Sequence, residues 1–218
     1  MTNSLLHFDG TDNSTSIIDE TNKLWTVSGT AKLSTARYKF APSSLLLANG
    51  DYALGQTNYT YDLSHDFTID LFIYPTANNG GRIIFWGGNL GDFMFGLDGG
   101  HLMIGRSGIV VDTTAPSGFA NNDWSHIEVD RSGSTIYFFV NGVQINGVQT
   151  NSISYVSTGA PHIGNRGGED GVTGNIDEFR ISCGVARHTA NFTPPTVPYI
   201  YTSTIVSTVS ISQGFGVL

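Results

Sequence analysis

Apolar and polar positions alternate with a period of two along most of the chain. In "DFTIDLFIYP" the residues Phe67, Ile69, Leu71 and Ile73 fall on one side, with Thr68, Asp70, Phe72 and Tyr74 opposite, and Pro75 stops the run. Side chains of a strand point alternately to its two faces, so the pattern predicts a strand with one buried side. The stretch "WSHIEVDRSGSTIYFFVNGVQI", residues 124–145, predicts two strands joined by a turn near Ser132-Gly133 and a second turn at Asn141-Gly142. An Asn-Gly pair between alternating segments is a strong hairpin signal, because both turn positions need φ > 0. Further strands are predicted at 4–8, 44–48, 52–55, 82–86, 92–97, 101–105, 161–164 and 175–182. No window of a dozen residues holds a helical period. At least ten strands separated by Gly, Asn and Asp turns predict an all-β fold, a two-sheet antiparallel jelly-roll sandwich rather than a small barrel.

One segment breaks the pattern. In "GNIDEFRISCGVARHTANFTPPTVPY", residues 174–199, a strand frame aligns Asp177 with Phe179 and Ile181, and Glu178 with Arg180 on the other side. A carboxylate on the apolar side is costly unless something compensates for it. Two compensations are open: a bound cation, or backbone N–H groups of a neighbouring loop donating to Asp177. Glu178 and Arg180 are expected to form a solvent-side pair of little consequence.

The composition shifts near the C-terminus. From His188 to Leu218 there is no Asp, Glu, Lys or Arg. "FTPPTVPY" predicts a proline-stiffened, extended exit, and "IYTSTIVSTVSISQGFGVL" is rich in β-branched residues. The expected organisation is one domain over residues 1–197 and an uncharged arm over 198–218. Three fates fit the arm: a disordered terminus, a last strand on its own domain, or a strand added to a neighbouring subunit. In the third, Tyr199, Ile200, Tyr201, Ile205, Val206, Val209, Ile211 and Phe215 would grip the neighbour.

Charge and cysteine content narrow the partners. Charged residues make up only 13% of the 218 residues, about half the usual share, so solubility leans on Asn, Ser, Thr and Gly. The net charge of −8, a pI near 5.0 and the lack of a Lys/Arg cluster argue against nucleic acid and anionic membranes. Cys183 is the only cysteine, so no intrachain disulfide forms, and it is expected as a small buried residue rather than a nucleophile. "MTNSLLHFDG" lacks the basic start and long apolar stretch of a signal peptide, and no run approaches 18 apolar residues.

The order of motifs resembles the laminin G-like, or concanavalin A-like lectin/glucanase, jelly roll in the form common among bacteriophage and bacterial proteins. The matching pieces are "LLHFDGTD", "KFAPSSLLLANGDYA", "FTIDLFIYP", "WSHIEVDRSGSTIYFFVNGVQI" and "IGNRGG…GNIDEFRIS…GVARHTANFTPPTVPY", together spanning about residues 4–199. The resemblance implies that the first and last strands lie side by side, bringing Asp9 close to Asp177. It also implies a structural Ca²⁺ site there, with Asp9, Asp12 and Asp177 as oxygen donors. Lectin sites in such jelly rolls stack loop aromatics on sugar rings, which makes Tyr59, Tyr61, Trp86 and Arg166 the glycan-binding candidates, whereas Trp25 and Trp124 look like core residues.

Catalysis is not expected. Related glucanases carry three acids on one strand, but "HIEVDRSGS" has only Glu128 and Asp130, both on the polar face of a hairpin strand where solvated charges belong. The six histidines are scattered without metal-ligand spacing. The expected function is that of a non-catalytic virion structural protein, a head decoration or tail-fibre appendage made in the host cytoplasm. It would be homo-oligomeric and bound to other capsid or tail proteins. The alternative is a glycan-binding adhesion module that attaches to a host surface.

Overall fold

The computed structural model describes residues 1–77, 81–106, 109–112, 118, 120–145, 149–167 and 171–202. Among them every regular element is a strand. The first nine are β1 (Thr2–Leu6), β2 (Ser16–Ile18), β3 (Leu24–Ser28), β4 (Lys32–Ser34), β5 (Ser44–Leu47), β6 (Tyr52–Leu54), β7 (Tyr61–Leu63), β8 (Phe67–Pro75) and β9 (Gly81–Trp86). Then come β10 (Met94–Asp98), β11 (His101–Arg106), β12 (Ile109–Asp112), β13 (Ser125–Ser132), β14 (Thr135–Val140) and β15 (Val143–Gln144). The last four are β16 (Gln149–Thr150), β17 (Tyr155–Ser157), β18 (His162–Ile163) and β19 (Gly174–Cys183).

Two antiparallel sheets make the jelly-roll sandwich. The first runs β15-β14-β13-β8-β19-β5-β4, with β1 also on β19 and β16 on β14; the second runs β12-β11-β10-β9-β18-β6-β3-β2. A two-stranded ribbon, β17-β7, stands apart from both. The strands that carry the clearest alternation lie at the centre of the first sheet. Ile69, Leu71 and Ile73 of β8, Ile127 and Val129 of β13, and Ile176, Phe179 and Ile181 of β19 are all buried inside. They meet Trp25, Ile84, Phe85, Phe95, Leu102 and Ile104 from the second sheet. Each such side chain contributes roughly 1.5–3 kcal/mol when fully buried.

The first and last strands do pair, with Leu6 opposite Phe179 and Leu5 opposite Arg180. The turn at Asn141-Gly142 has φ of 49° and 75°, the left-handed pair that the sequence demands. The short strands β2, β4, β7, β16 and β17 were not predicted; at two or three residues they are too brief to display a period. β3 and β12 were also missed.

Strand β19 corrects the sequence frame. The pairing with β8 runs Asp177 to Phe72 and then Arg180 to Asp70, so one extra residue is inserted. Glu178 sits in that bulge with φ of 54°. A bulge of one residue reverses the inside and outside positions beyond it. Ile176, Phe179 and Ile181 therefore all enter the core, while Asp177 and Arg180 both face out. Asp177 does not share a face with Phe179. Nor do Glu178 and Arg180 pair in solvent: both are buried, and each has another partner.

Candidate functional site

The outer faces of the two sheets carry the chemistry, and they differ. On the first sheet one lateral row crosses five strands: Phe139 (β14), Glu128 (β13), Asp70 (β8), Arg180 (β19) and Leu5 (β1) are successive neighbours. Beside it lie Asp130 opposite Thr68, and His126 opposite Phe72. Alternation puts these residues outside the sandwich, yet Asp70, Glu128 and Asp130 are each 0% exposed. The solvated charges expected at Glu128 and Asp130 are therefore not solvated. A strap formed by residues 184–199 covers them.

The strap is seated by its backbone as well as its side chains. The N–H groups of Arg187 and His188 donate to Asp130 Oδ1 at 2.8 and 3.3 Å, and Thr68 Oγ1 donates to the same oxygen at 2.5 Å. His188 Nδ1 lies 2.6 Å from Glu128 Oε1. The Phe192 ring stacks on His188 at 3.6 Å and meets Phe139 and His126 edge-on. Phe192 N–H donates to Gly142 O, and a Cβ at Gly142 would lie 2.0 Å from Phe192 O. Glycine at 142 thus serves both the turn and the close passage of the strap. Tyr199 ends the strap: its N–H donates to Glu178 Oε2 at 2.7 Å, its hydroxyl meets His126 Nε2 at 2.8 Å, and Arg180 lies over its ring. Tyr199 belongs to the domain, packed with Leu5 and Phe72, and is not free to grip a neighbour.

Electrostatics divides this face. Arg180 makes a two-pronged contact with Asp70, Nε to Oδ1 at 2.9 Å and Nη2 to Oδ2 at 2.5 Å. Burial opposes ionisation of Asp70, but the guanidinium outweighs it and holds the carboxyl well below the usual carboxylate range. Glu128 and Asp130 lack such a partner, and burial pushes them up to about 8 and about 9. Two groups bring potential metal-ligand atoms within 4.8 Å of one another among the described residues: Asp70, His126 and Glu128, and Glu128, Asp130 and His188. Several of their donor atoms are already engaged. Asp70 is taken by Arg180, His126 Nε2 by Tyr199, and His188 Nδ1 by Glu128.

The outer face of the second sheet carries an aromatic and thioether patch. Ile83, Met94 and Met103 are buried there, with half-buried Trp86 packed against them. Trp86, His162 and Leu54 are successive partners across β9, β18 and β6, which sets Tyr52 on the same face two residues along. Tyr52 stacks on His162 at 4.3 Å and 3°, and Trp86 meets that ring edge-on at 4.9 Å. Burial lowers the His162 pKa to about 4, so the imidazole is neutral. Arg166, exposed at the start of the next loop, lies over this patch with Nη1 3.6 Å from Met94 Sδ. Gly96 and Gly105, opposite Met103 and Met94, leave the neighbouring strands bare. The result is a strip of three rings ending at a guanidinium, suited to stacking and to forked hydrogen bonding.

Of the sequence-predicted glycan residues, Trp86 and Arg166 come together on this strip. Tyr59 and Tyr61 do not: both are in the sandwich core, Tyr59 hydroxyl bonded to the Leu24 backbone and Tyr61 hydroxyl to Ser4 Oγ. Tyr52 and His162 were missed, since neither stands in an aromatic cluster in the sequence. Trp25 is core, whereas Trp124 is half-buried outside it against Tyr74. Cys183 is half-buried, and burial raises its thiol to about 11. Ile200 is exposed and Tyr201 half-buried; Ile205, Val206, Val209, Ile211 and Phe215 lie outside the described residues.

The predicted calcium ligands are dispersed in role. Asp177 is buried and Oδ2 accepts the N–H groups of Lys39 and Phe40 at 2.7 and 3.1 Å, the hydrogen-bonded arrangement. Asp9 and Asp12 are exposed, and Asp12 accepts from Asn13 and from the Thr35 N–H. Among the described residues these three carboxylates do not converge within 4.8 Å. Asp177 Oδ1 is left buried without a partner.

Comparison with known proteins bears on the fold. A family model described as the concanavalin A-like lectin/glucanases superfamily matches residues 48–187. No curated protein matches the chain. Domain 4 of AbnA, an extracellular arabinanase of Geobacillus stearothermophilus solved in complex with arabinotriose, is similar with a TM-score of 0.62 at 17% identity, over 83% of this chain and 91% of that one. The binding domain of Paraclostridial Mosquitocidal Protein 1 has a TM-score of 0.59 at 17% identity, over 83% of this chain and 48% of its own. Trypanosoma rangeli sialidase has a TM-score of 0.55 at 12% identity, over 82% of this chain and 30% of its own. At these identities the likeness carries the fold alone, and no helix among the described residues is long and apolar enough to cross a membrane. With more than half of its length matched by the family model and its two sheets arranged as a jelly roll, the chain belongs to the concanavalin A-like lectin/glucanase superfamily, in its laminin G-like form.

Proposed function

We propose that this protein is a non-catalytic glycan-recognition module that binds through the outer face of its second sheet. The observation that carries this is the Tyr52–His162–Trp86 strip with Arg166 at its end. Ring faces there stack on the apolar face of a pyranose or furanose, and the guanidinium donates to sugar hydroxyls. Hydrolysis needs two carboxyls flanking an accessible bond, whereas Glu128 and Asp130 are sealed under the strap and Asp70 is held by Arg180. The likeness to an arabinanase domain that holds arabinotriose supports the same reading. The virion role, as head decoration or tail-fibre appendage, rests on an arm whose residues 203–218 lie outside the described ones, so the geometry favours the glycan module. An adhesion role in host attachment follows if the ligand is a surface glycan.

The test is a glycan array with labelled protein, followed by calorimetry on any hit. Trp86→Ala is expected to weaken binding at least about tenfold, the loss of one stacked ring, with an unchanged circular dichroism spectrum. Absence of any glycan hit, or wild-type affinity in Trp86→Ala, sinks the proposal.

A further inference from the structure

The sealed face of the first sheet contains a feature that recognition does not use. Glu128 and Asp130 are two positions apart on β13, so both point the same way, under the strap. Each has one oxygen engaged: Glu128 Oε1 with His188, and Asp130 Oδ1 with Thr68 and the strap amides. The other two oxygens, Glu128 Oε2 and Asp130 Oδ2, are buried with no donor. Two buried carboxylates side by side, each with an orphaned oxygen, cannot both stay ionised. A proton retained by the pair removes one of the two charges and supplies a donor where none is present.

We propose that the strap is a proton-gated latch: Glu128 and Asp130 share one proton while residues 184–199 cover them, and losing it as the pH rises lifts the strap from the sheet. The groups facing the pair agree with this count. Asp70 on β8 is ionised against Arg180 on β19, Arg187 of the strap supplies a second guanidinium, and burial lowers the His188 pKa. His126 on β13 and Tyr199 of the strap bond to each other, and Tyr137 of β14 stands opposite Asp130. Three carboxyls thus face two guanidinium groups, and a single retained proton balances the face. A divalent cation in place of the proton would leave it positive.

Burial first, and then the charge of Glu128, raises the Asp130 carboxyl. A carboxyl held above its ordinary value binds a proton in the latched state that it releases when uncovered. Latching is therefore complete below about pH 4, where both states are protonated, and weakens as pH climbs toward about 9, the value to which Asp130 is raised. Release of the strap would expose the polar row and Tyr199.

Hydrogen exchange of the full chain, followed by mass spectrometry and corrected for intrinsic rates, reads the latch through the amides of Arg187, His188, Phe192 and Tyr199. The opening constant is expected to rise about tenfold per pH unit between about pH 5 and 8. Asp130→Asn mimics the protonated acid, because its amide keeps the acceptor for the strap and donates to Glu128. It is expected to abolish the pH dependence and leave the strap protected at pH 9. Should that variant not fold, Glu128→Gln makes the same substitution from the other side. In the wild type alone, a protonated-carboxyl infrared band at neutral pH reports the shared proton. A pH-independent opening constant, the absence of that band, a wild-type slope in Asp130→Asn, or one equivalent of divalent metal found with the pair would overturn the latch.

Discussion

The two outer faces of this sandwich start from the same alternation and end as opposites. On the first sheet the outward positions of β8, β13 and β19 are Asp70, Glu128, Asp130 and Arg180, all buried beneath a strap. On the second, the outward positions of β9, β10 and β11 include Ile83, Trp86, Met94 and Met103, an apolar patch with an exposed arginine over it. Hydrophobicity alone would have left the first face wet and covered the second. What decides is the supply of partners. Charged groups that find a fork-shaped contact, backbone amides and a shared proton tolerate being sealed, and the seal then makes each contact stronger. Aromatic and thioether side chains need no such partners, so their face is left open to whatever stacks on it.

Removing one partner should break the sealed face most severely. Asp70→Ala leaves Arg180 buried without its counter-ion and is expected to destabilise the domain by about 3–5 kcal/mol, measured by urea denaturation. Next comes the strap itself. Gly142→Ala forces a left-handed alanine and drives its methyl into Phe192 O. A loss of about 1–3 kcal/mol is expected, together with earlier protease cleavage within residues 184–199. The open face responds differently: Trp86→Ala should cost only about 1–2 kcal/mol in the same denaturation while weakening glycan binding at least about tenfold. If Trp86→Ala proves the more damaging of the two outer-face changes, the contrast between the faces fails.

Asp177 sharpens the comparison through pH. Burial raises its carboxyl to about 7, partly offset by the amides of Phe40 and Lys39. The stability it contributes is whole below about pH 4 and drains away as pH rises toward 7, at no more than about 1.4 kcal/mol per pH unit. Asp177→Asn should flatten that part of the melting-temperature profile between pH 4 and 7. The smallest effect concerns calcium: exchanging millimolar CaCl₂ for EGTA is expected to shift the melting temperature by less than about 1 °C, since a bound ion would stabilise by mass action. A rise of several degrees would restore the ion at Asp9, Asp12 and Asp177.

What could be read from the chain was whatever local periodicity reports. The strands at 67–75 and 125–140 and the Asn141-Gly142 turn carry their own signal, whereas the pairing of first and last strands was implied only by the family resemblance. Alternation names a face but not what covers it. Glu128 and Asp130 were placed on the right side of β13, yet their burial depends on residues nearly sixty positions later. The face of Asp177 was misread because the bulge at Glu178 has no glycine or asparagine to announce it. Tyr59 and Tyr61 sit in a loop-like sequence, but their hydroxyl partners, Leu24 and Ser4, come from far upstream. The binding strip was half legible: Trp86 and Arg166 stand beside glycines, while Tyr52 and His162 are joined only by strand order.

The central position of β19 has a consequence for how the molecule is made. This strand is flanked by β8 on one side and by β5 and β1 on the other, and it is the last strand of the described chain to leave the ribosome. Until it arrives, three unpaired edges wait with their hydrogen-bonding groups exposed, a state open to mispairing between nascent chains. Folding should therefore be slow and all-or-none, governed by contacts between the two ends of the sequence. A chain stopped before residue 174 would keep almost all of its strands and still have no first sheet to close.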